Sequence, residues 1–315
     1  RPRRRAGGDA RGAVIRRHEG ERGEALTLGG EGQDLLARVA GDRRGQRSEL
    51  LVTEAQILSK QGNMKQAIST LQQALSLRLA VSAPDAAQTV VVRNSLAATL
   101  MRSGQLAEAL RQFRQIEAAL KSSRREHSLD AATIYANHAS TAFAYGRYRE
   151  AERLFGQALS LQEKLYGPSA SFAALLNNAG KLDLALGKTD EARRQIQRAV
   201  EMMQRFAGAD SVDARLIRLS LAQLALDEGR PAEAREIYRT IGDKLAAVLG
   251  DGHPLLARIR SQQLIASVRS DGIPANSPDF ERMLERLAAS PSNQRPHAQF
   301  LCQRAELALE PKGHV

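Results

Sequence analysis

Apolar residues recur at three- and four-residue steps through most of the chain, and the pattern breaks and restarts at a series of glycines. Such steps put the apolar side chains on one stripe of a helix, so each break reads as a tight turn between two amphipathic helices. The breaks keep a frame. A Gly followed five residues later by Ala appears as Gly62/Ala67, Gly104/Ala109, Gly146/Ala151, Gly187/Ala192 and Gly229/Ala234, at successive spacings of 42, 42, 41 and 42 residues. The text around the glycines repeats as well, with GQLAEAL at 104–110, GRYREAE at 146–152, GKTDEAR at 187–193 and GRPAEAR at 229–235. A fixed period of this length marks a stack of supersecondary units.

Each position in the frame has a mechanical reading. Gly supplies the left-handed backbone that ends the first helix. Seven residues before the turn stand Ala55, Ala97, Ala139, Gly180 and Ala222, and five after it stand the alanines above, so small side chains let the paired helices approach closely. Nine after the turn come Leu71, Phe113, Phe155, Ile196 and Tyr238, large enough to fill the space between neighbouring repeats. The frame predicts helix pairs at 47–61/64–80, 86–103/106–122, 129–145/148–166, 170–186/189–207 and 211–228/231–249. A sixth first helix is expected over 254–270. After Gly272 the frame fails, because Ser277 replaces the expected Ala and Pro274 and Pro278 interrupt the pattern.

The chain therefore divides into three stretches: a basic Arg- and Gly-rich leader over 1–32, an array of five repeats over 33–253, and a degenerate sixth repeat with capping helices over 254–315. The array begins with a short helix at 33–41, and the capping helices are placed near 278–289 and 296–309. The leader has too little apolar surface to offset the entropy of ordering, which predicts disorder.

Composition agrees with closely packed helices. Hydrophobic residues make up 43% of the chain, carried mostly by Ala and Leu, while aromatics are 4% and Trp is absent. The single cysteine, Cys302, can form no internal disulfide. No window holds 18 consecutive apolar residues, so no transmembrane segment is expected, and a cytoplasmic location is the expectation. Because the sequence begins at Arg1, an upstream signal, membrane anchor or further domain is left open.

The net charge of +11 invites a nucleic-acid reading. Its distribution argues against one. Residues 1–48 hold 12 Arg and no Lys against 7 acidic residues, or +5, which leaves +6 spread thinly over the rest. Arg outnumbers Lys 38 to 8 across the chain, a skew that a GC-rich genome produces without selection for binding.

Segments within the first helices carry a family resemblance. LNNAG at 176–180, RNSLA at 93–97 and RLSLA at 218–222 resemble the Leu-Asn-Asn-Leu-Ala signature of the long, 42-residue tetratricopeptide repeat of kinesin light chains and many bacterial signalling proteins. LGDGHPLLAR at 249–258 resembles its Gly-x-x-His-Pro link, and HSLDAA at 127–132 is a weaker copy. The resemblance covers about residues 47–254. It implies an all-α fold, a right-handed α-solenoid of antiparallel helix pairs whose first helices line a concave groove that holds a partner peptide.

Searches for chemistry come back negative. Gly187-Lys188-Thr189 looks like the end of a phosphate loop, but that motif needs Gly where Leu182 stands. The six histidines, His18, His127, His138, His253, His297 and His314, form no HExxH and no metal-ligand spacing with Cys; His253 and His127 fall in links between repeats. No nucleophile elbow or dinucleotide fingerprint appears. Glu108, Glu150, Glu191 and Glu233 recur because each begins a second helix, where an acidic side chain favours the positive dipole end. No enzyme activity, cofactor, metal or small-molecule substrate is expected.

Binding is the remaining function. Asn94, Asn137, Asn177 and Asn178 sit on first helices, where Asn is a poor helix former and asks for a reason. Their amides can grip a peptide backbone or, alternatively, bridge neighbouring helices. Thr133, Ser140, Lys181 and Gln223 should project near the same face with Met101, and Arg102 near a rim. Phe143, Leu184 and Leu226 add apolar surface, and the two cations add a modest attraction for acidic groups. Asp183 stands where other repeats have Leu58, Leu100, Ala142 and Ala225, and either pairs with a neighbouring Arg or Lys or marks a specific contact. The leading reading is a protein-binding scaffold. The alternatives are a C-terminal sensing or docking region of a larger signalling protein such as a bacterial serine/threonine kinase, and a nucleic-acid-associated regulator.

Overall fold

The computed structural model describes residues 42–250, 253–272 and 278. The leader, the short helix at 33–41 and the two capping helices fall outside those residues. Eleven helices and no strand occupy the described residues: α1 Arg44–Lys60, α2 Met64–Leu79, α3 Ala87–Arg102, α4 Leu106–Ser122, α5 Leu129–Ala144, α6 Tyr148–Leu165, α7 Ala170–Ala185, α8 Thr189–Ala207, α9 Val212–Asp227, α10 Pro231–Leu249 and α11 Pro254–Asp271. These are five first-and-second helix pairs and a sixth first helix, an α-solenoid of helix pairs.

The turn inside each pair is closed by main-chain hydrogen bonds, with Ser103 Oγ adding a bond to the Leu100 carbonyl in the second repeat. Gly62, Gly104, Gly146, Gly187 and Gly229 take φ of 73–85°, a region that a Cβ would strain. The residue after each glycine then donates its N–H back across the turn: Asn63 to Leu58, Gln105 to Leu100, Arg147 to Ala142, Lys188 to Asp183 and Arg230 to Ala225, at 2.7–2.9 Å. This is the Schellman arrangement, which satisfies carbonyls that a helix end otherwise leaves orphaned. Links between repeats use side chains instead. Ser128, Ser169 and Ser211 accept from the backbone N–H three residues on, and His253 Nδ1 accepts from Leu255.

The frame positions form the core. Ala55, Ala97, Ala139 and Ala222 before the turns and Ala67, Ala109, Ala151, Ala192 and Ala234 after them are fully buried, and the large residues at the ninth position are buried too. Each such large side chain contributes about 2 kcal/mol by burial, against about 1 kcal/mol for a cap. Packing therefore outweighs capping in holding the repeats together.

The described residues form two compact units that divide after Leu161. In the first, α1 packs on α2, α2 on α3, α3 on α4 and α4 on α5, and the first helices α1, α3 and α5 also touch in sequence. The second repeats the scheme from α7 to α11, with α7 touching α9. In that unit Leu256, Ile259 and Ala266 of α11 join Tyr238, Ile241 and Leu245 of α10 in one apolar cluster, so the sixth first helix packs as the frame requires.

Gly180 marks the closest approach. A Cβ there would stand 2.8 Å from Ile196 Cγ1 and 3.3 Å from the Ala192 carbonyl oxygen. The other repeats carry Ala opposite Leu, Phe or Tyr, none branched at Cβ, whereas Ile196 branches there and crowds this space. Gly156 is the opposite case, with nothing within 4 Å of an added Cβ. Gly180→Val is thus expected to cost about 1–3 kcal/mol. Gly156→Ala is expected to gain about 0.5–1 kcal/mol through helix propensity alone. Thermal melts of both variants followed by circular dichroism check the pair of signs.

Candidate functional site

The second unit brings three of the sequence-predicted residues into a cleft. Asn177, Asn178 and Lys181 project from α7 with Ser171 and Ala174, at the one-turn spacing that shares a helix face. Met203 of α8 and Asp213, Leu216 and Ile217 of α9 complete a space of about 420 Å³. Ser169 fixes the start of α7, and Gln162 donates to Ser171 Oγ at 2.7 Å, so the mouth of the cleft is braced. Apolar and polar groups share the lining, with the Asp213 carboxylate on the same helix as Leu216 and Ile217.

Two polar groups in the cleft lack partners among the described residues. Asn177 is 4% exposed, and its Oδ1 is buried without a donor. A buried acceptor left in this state costs about 1–3 kcal/mol. Lys181 reaches solvent yet lies in the hollow, where the surrounding protein and then the Arg258 guanidinium push its ammonium below the usual lysine range. It makes no ion pair among the described residues. Asp183, one turn from the cleft, is buried and accepts from Gln195 Nε2 at 2.8 Å, joining α7 to α8.

The other predicted residues lie elsewhere. Gln223 is on α9 but donates to Asp227 Oδ1 at 2.9 Å and does not line the cleft. Burial raises the Asp227 carboxyl, an effect that the Gln223 bond and Arg269 oppose. In the first unit Asn94, Met101 and Asn137 are half-buried and Thr133 is exposed. Asn94 Oδ1, like that of Asn177, is buried without a donor among the described residues. Arg102 turns back to Thr99 Oγ1 at 3.2 Å, and Ser140 donates to the Ala136 carbonyl of its own helix at 2.9 Å.

One polar cluster gave little sequence signal. His138 of α5 is fully buried and stacks on Phe113 with ring centroids 5.3 Å apart. Its Nδ1 lies 3.3 Å from Glu117 of α4 and its Nε2 3.5 Å from Glu150 of α6, so the ring sits between carboxylates of both second helices. Burial opposes ionisation of Glu117, but the His138 hydrogen bond and the charges of His138, Arg153 and Arg114 more than offset it and lower its pKa. Glu150 also meets Arg114 at 3.4 Å and Arg147 at 3.2 Å. The only hint in the sequence is a His one residue before the small Ala139, where other repeats carry Glu54, Leu96, Ala179 and Leu221.

Among the described residues no group of three or more His, Cys, Asp or Glu is placed to hold a metal ion. None of their helices is long and apolar enough to cross a membrane.

The tetratricopeptide repeat profile matches four overlapping stretches, 46–122, 86–164, 130–205 and 171–241. No curated protein matches the chain. Among solved structures, BtubC (BKLC) from P. vanneervenii is similar at 22% identity and a TM-score of 0.60, covering 74% of this chain and 92% of that one. A putative kinesin light chain of Podosopora anserina, with nearly identical TPR-like repeats, gives 18% identity and a TM-score of 0.56 over 66% of this chain and 99% of its own. A Rap protein complexed with competence and sporulation factor gives 15% identity and a TM-score of 0.57 over 92% and 73%. At these identities the likeness concerns the fold.

The acidic side of the His138 cluster is open to test. A carboxylate whose folded pKa is lowered adds stability above its unfolded value and loses it as pH falls through the folded one. Glu117→Gln is therefore expected to lose about 1–2 kcal/mol near neutral pH. The gap from wild type should close below pH of about 4. Melts across that range decide it, and a gap of constant size would show that the pairing is not ionic.

Proposed function

Because this chain belongs to the tetratricopeptide repeat family, we propose that it is a non-enzymatic scaffold holding a peptide segment of a partner protein against the first-helix face of its second unit. The family's repeats are in general protein-binding modules. The observation that carries the finer reading is the Asn177 amide oxygen, which among the described residues is buried without a donor, in a cleft whose Lys181 ammonium forms no ion pair with them. A peptide main chain supplies the N–H that Asn177 lacks, and a neighbouring acidic side chain or terminal carboxylate meets Lys181.

The rest of the cleft fits the same occupant. Leu216, Ile217 and Met203 offer an apolar wall for one side chain of the segment, and Asn178 offers a second amide beside the main chain. Arg258 adds positive charge that acts on Lys181, so an acidic group relieves a like-charge contact as well as forming a new pair. Recognition is then part apolar burial and part main-chain grip, with charge selecting among candidate segments.

The test begins with a displayed library of random peptides selected on the folded chain, followed by titration of the winners. Asp or Glu should be enriched. Lys181→Gln should weaken the winners about tenfold, and Asn177→Ala with Asn178→Ala by about tenfold or more, with helicity retained. Winners that lack acidic residues, or that bind the folded variants as well as wild type, would remove this assignment of the face.

A further inference from the structure

The first unit has a second cleft, on the side built by second helices. It measures about 750 Å³ and lies between α4 and α6, floored by Tyr135 of α5. Small residues keep it open, Ala118 on one wall and Gly156 with Ser160 on the other. Gly156 is the tenth residue after its turn, a position where the other second helices carry Gln72, Arg114, Gln197 and Arg239. With no atom within 4 Å of an added Cβ, packing does not demand glycine there. A helical glycine costs about 1 kcal/mol relative to Ala. What glycine does here is leave the space between the helices empty.

The polar groups around that space are unevenly matched. Arg114 is held by Glu150, and Arg153 by Gln157 and Glu117, while Glu117 also meets His138. Glu126 has no partner among the described residues, and its Oε2 is buried. Tyr135 is only 6% exposed and lines the cleft beside these carboxylates. Burial raises the Tyr135 phenol, and the charges of Glu117 and Glu126 raise it further, so both carboxylates act on that hydroxyl. Lys121 at the edge of the cleft forms no ion pair among the described residues.

The geometry points to this cleft as a binding site for an arginine side chain presented by an extended segment of a partner polypeptide. A buried carboxylate oxygen without a donor among the described residues calls for a group rich in N–H donors. A guanidinium has five such donors in a flat fork and sheds its water more readily than an ammonium. Its apolar stem passes between Ala118 and Gly156, and Lys121 is left to donate to a carbonyl of the same segment. The matched charges of Arg114 and Arg153 do not compete for Glu126. The site lies in the other compact unit from the Asn177 cleft and does not rest on the function proposed for that cleft.

The probe is N-acetyl-arginine methylamide, titrated into the full chain while the Gly156 amide and the Tyr135 ring are followed by NMR. Saturable shifts are expected at both. The neutral citrulline analogue and the N-acetyl-glutamate analogue should give none. Glu126→Gln should weaken binding about tenfold and Tyr135→Phe several-fold. Gly156→Gln should abolish it by filling the space, with the helical signal retained, while Asn177→Ala leaves it unchanged. The assignment is overturned by absence of saturation with the arginine probe. Equal shifts from the citrulline or glutamate probe, or binding untouched in folded Glu126→Gln and Gly156→Gln, overturn it as well.

Discussion

Everything in this protein depends on how near two helices can come. In each repeat a residue no larger than Ala before the turn meets an Ala after it, and the large side chain four residues further on closes over the contact. Interiors pack at crystal-like density, so a single methyl in the wrong place is felt. Gly180 shows the tolerance directly. Where the covering residue branches at Cβ, even an alanine methyl has no room, and the chain uses glycine. The 42-residue frame is the linear trace of that contact, renewed by each successive pair.

Because the contact occupies one stripe of each helix, the remaining surfaces are free to carry other chemistry. On the first helices of the second unit that freedom takes the form of amides and an ammonium beside an apolar wall. On the second helices of the first unit it takes the form of charged side chains bound into a network around His138, next to a space that Gly156 keeps open. The two surfaces differ in the groups they gather: one sets Lys181 and Asp213 beside amides, the other sets Glu126 and Lys121 beside a tyrosine. A single stacking rule thus supports two dissimilar sites, since the rule leaves these positions unspecified.

The parts that were legible in the sequence are those fixed by local spacing. Helix limits such as 64–80 and 170–186 fall within a residue or so of Met64–Leu79 and Ala170–Ala185, since each is set by a turn glycine and an apolar stripe that a short window contains. Asn177, Asn178 and Lys181 share a cleft because they share one helix face, which spacing also reveals. The His138 cluster was not legible. Glu117 and Glu150 flank that histidine from 21 residues before it and 12 after, on two different helices, and neither spacing belongs to the frame. Gln223 illustrates the same limit, since its position on α9 was read correctly but its bond to Asp227 depends on side-chain torsions that no pattern encodes.

The turns carry a consequence of a different kind. Their hydrogen bonds run from main chain to main chain, so the residue after each glycine can be Asn, Gln, Arg or Lys without loss. Nothing in such a joint is particular to the repeat that contains it. A gene segment encoding one helix pair can be copied or removed in frame, and the joint it brings along will close as before. The length of the array is then free to drift over generations, while selection acts on the faces that each copy displays.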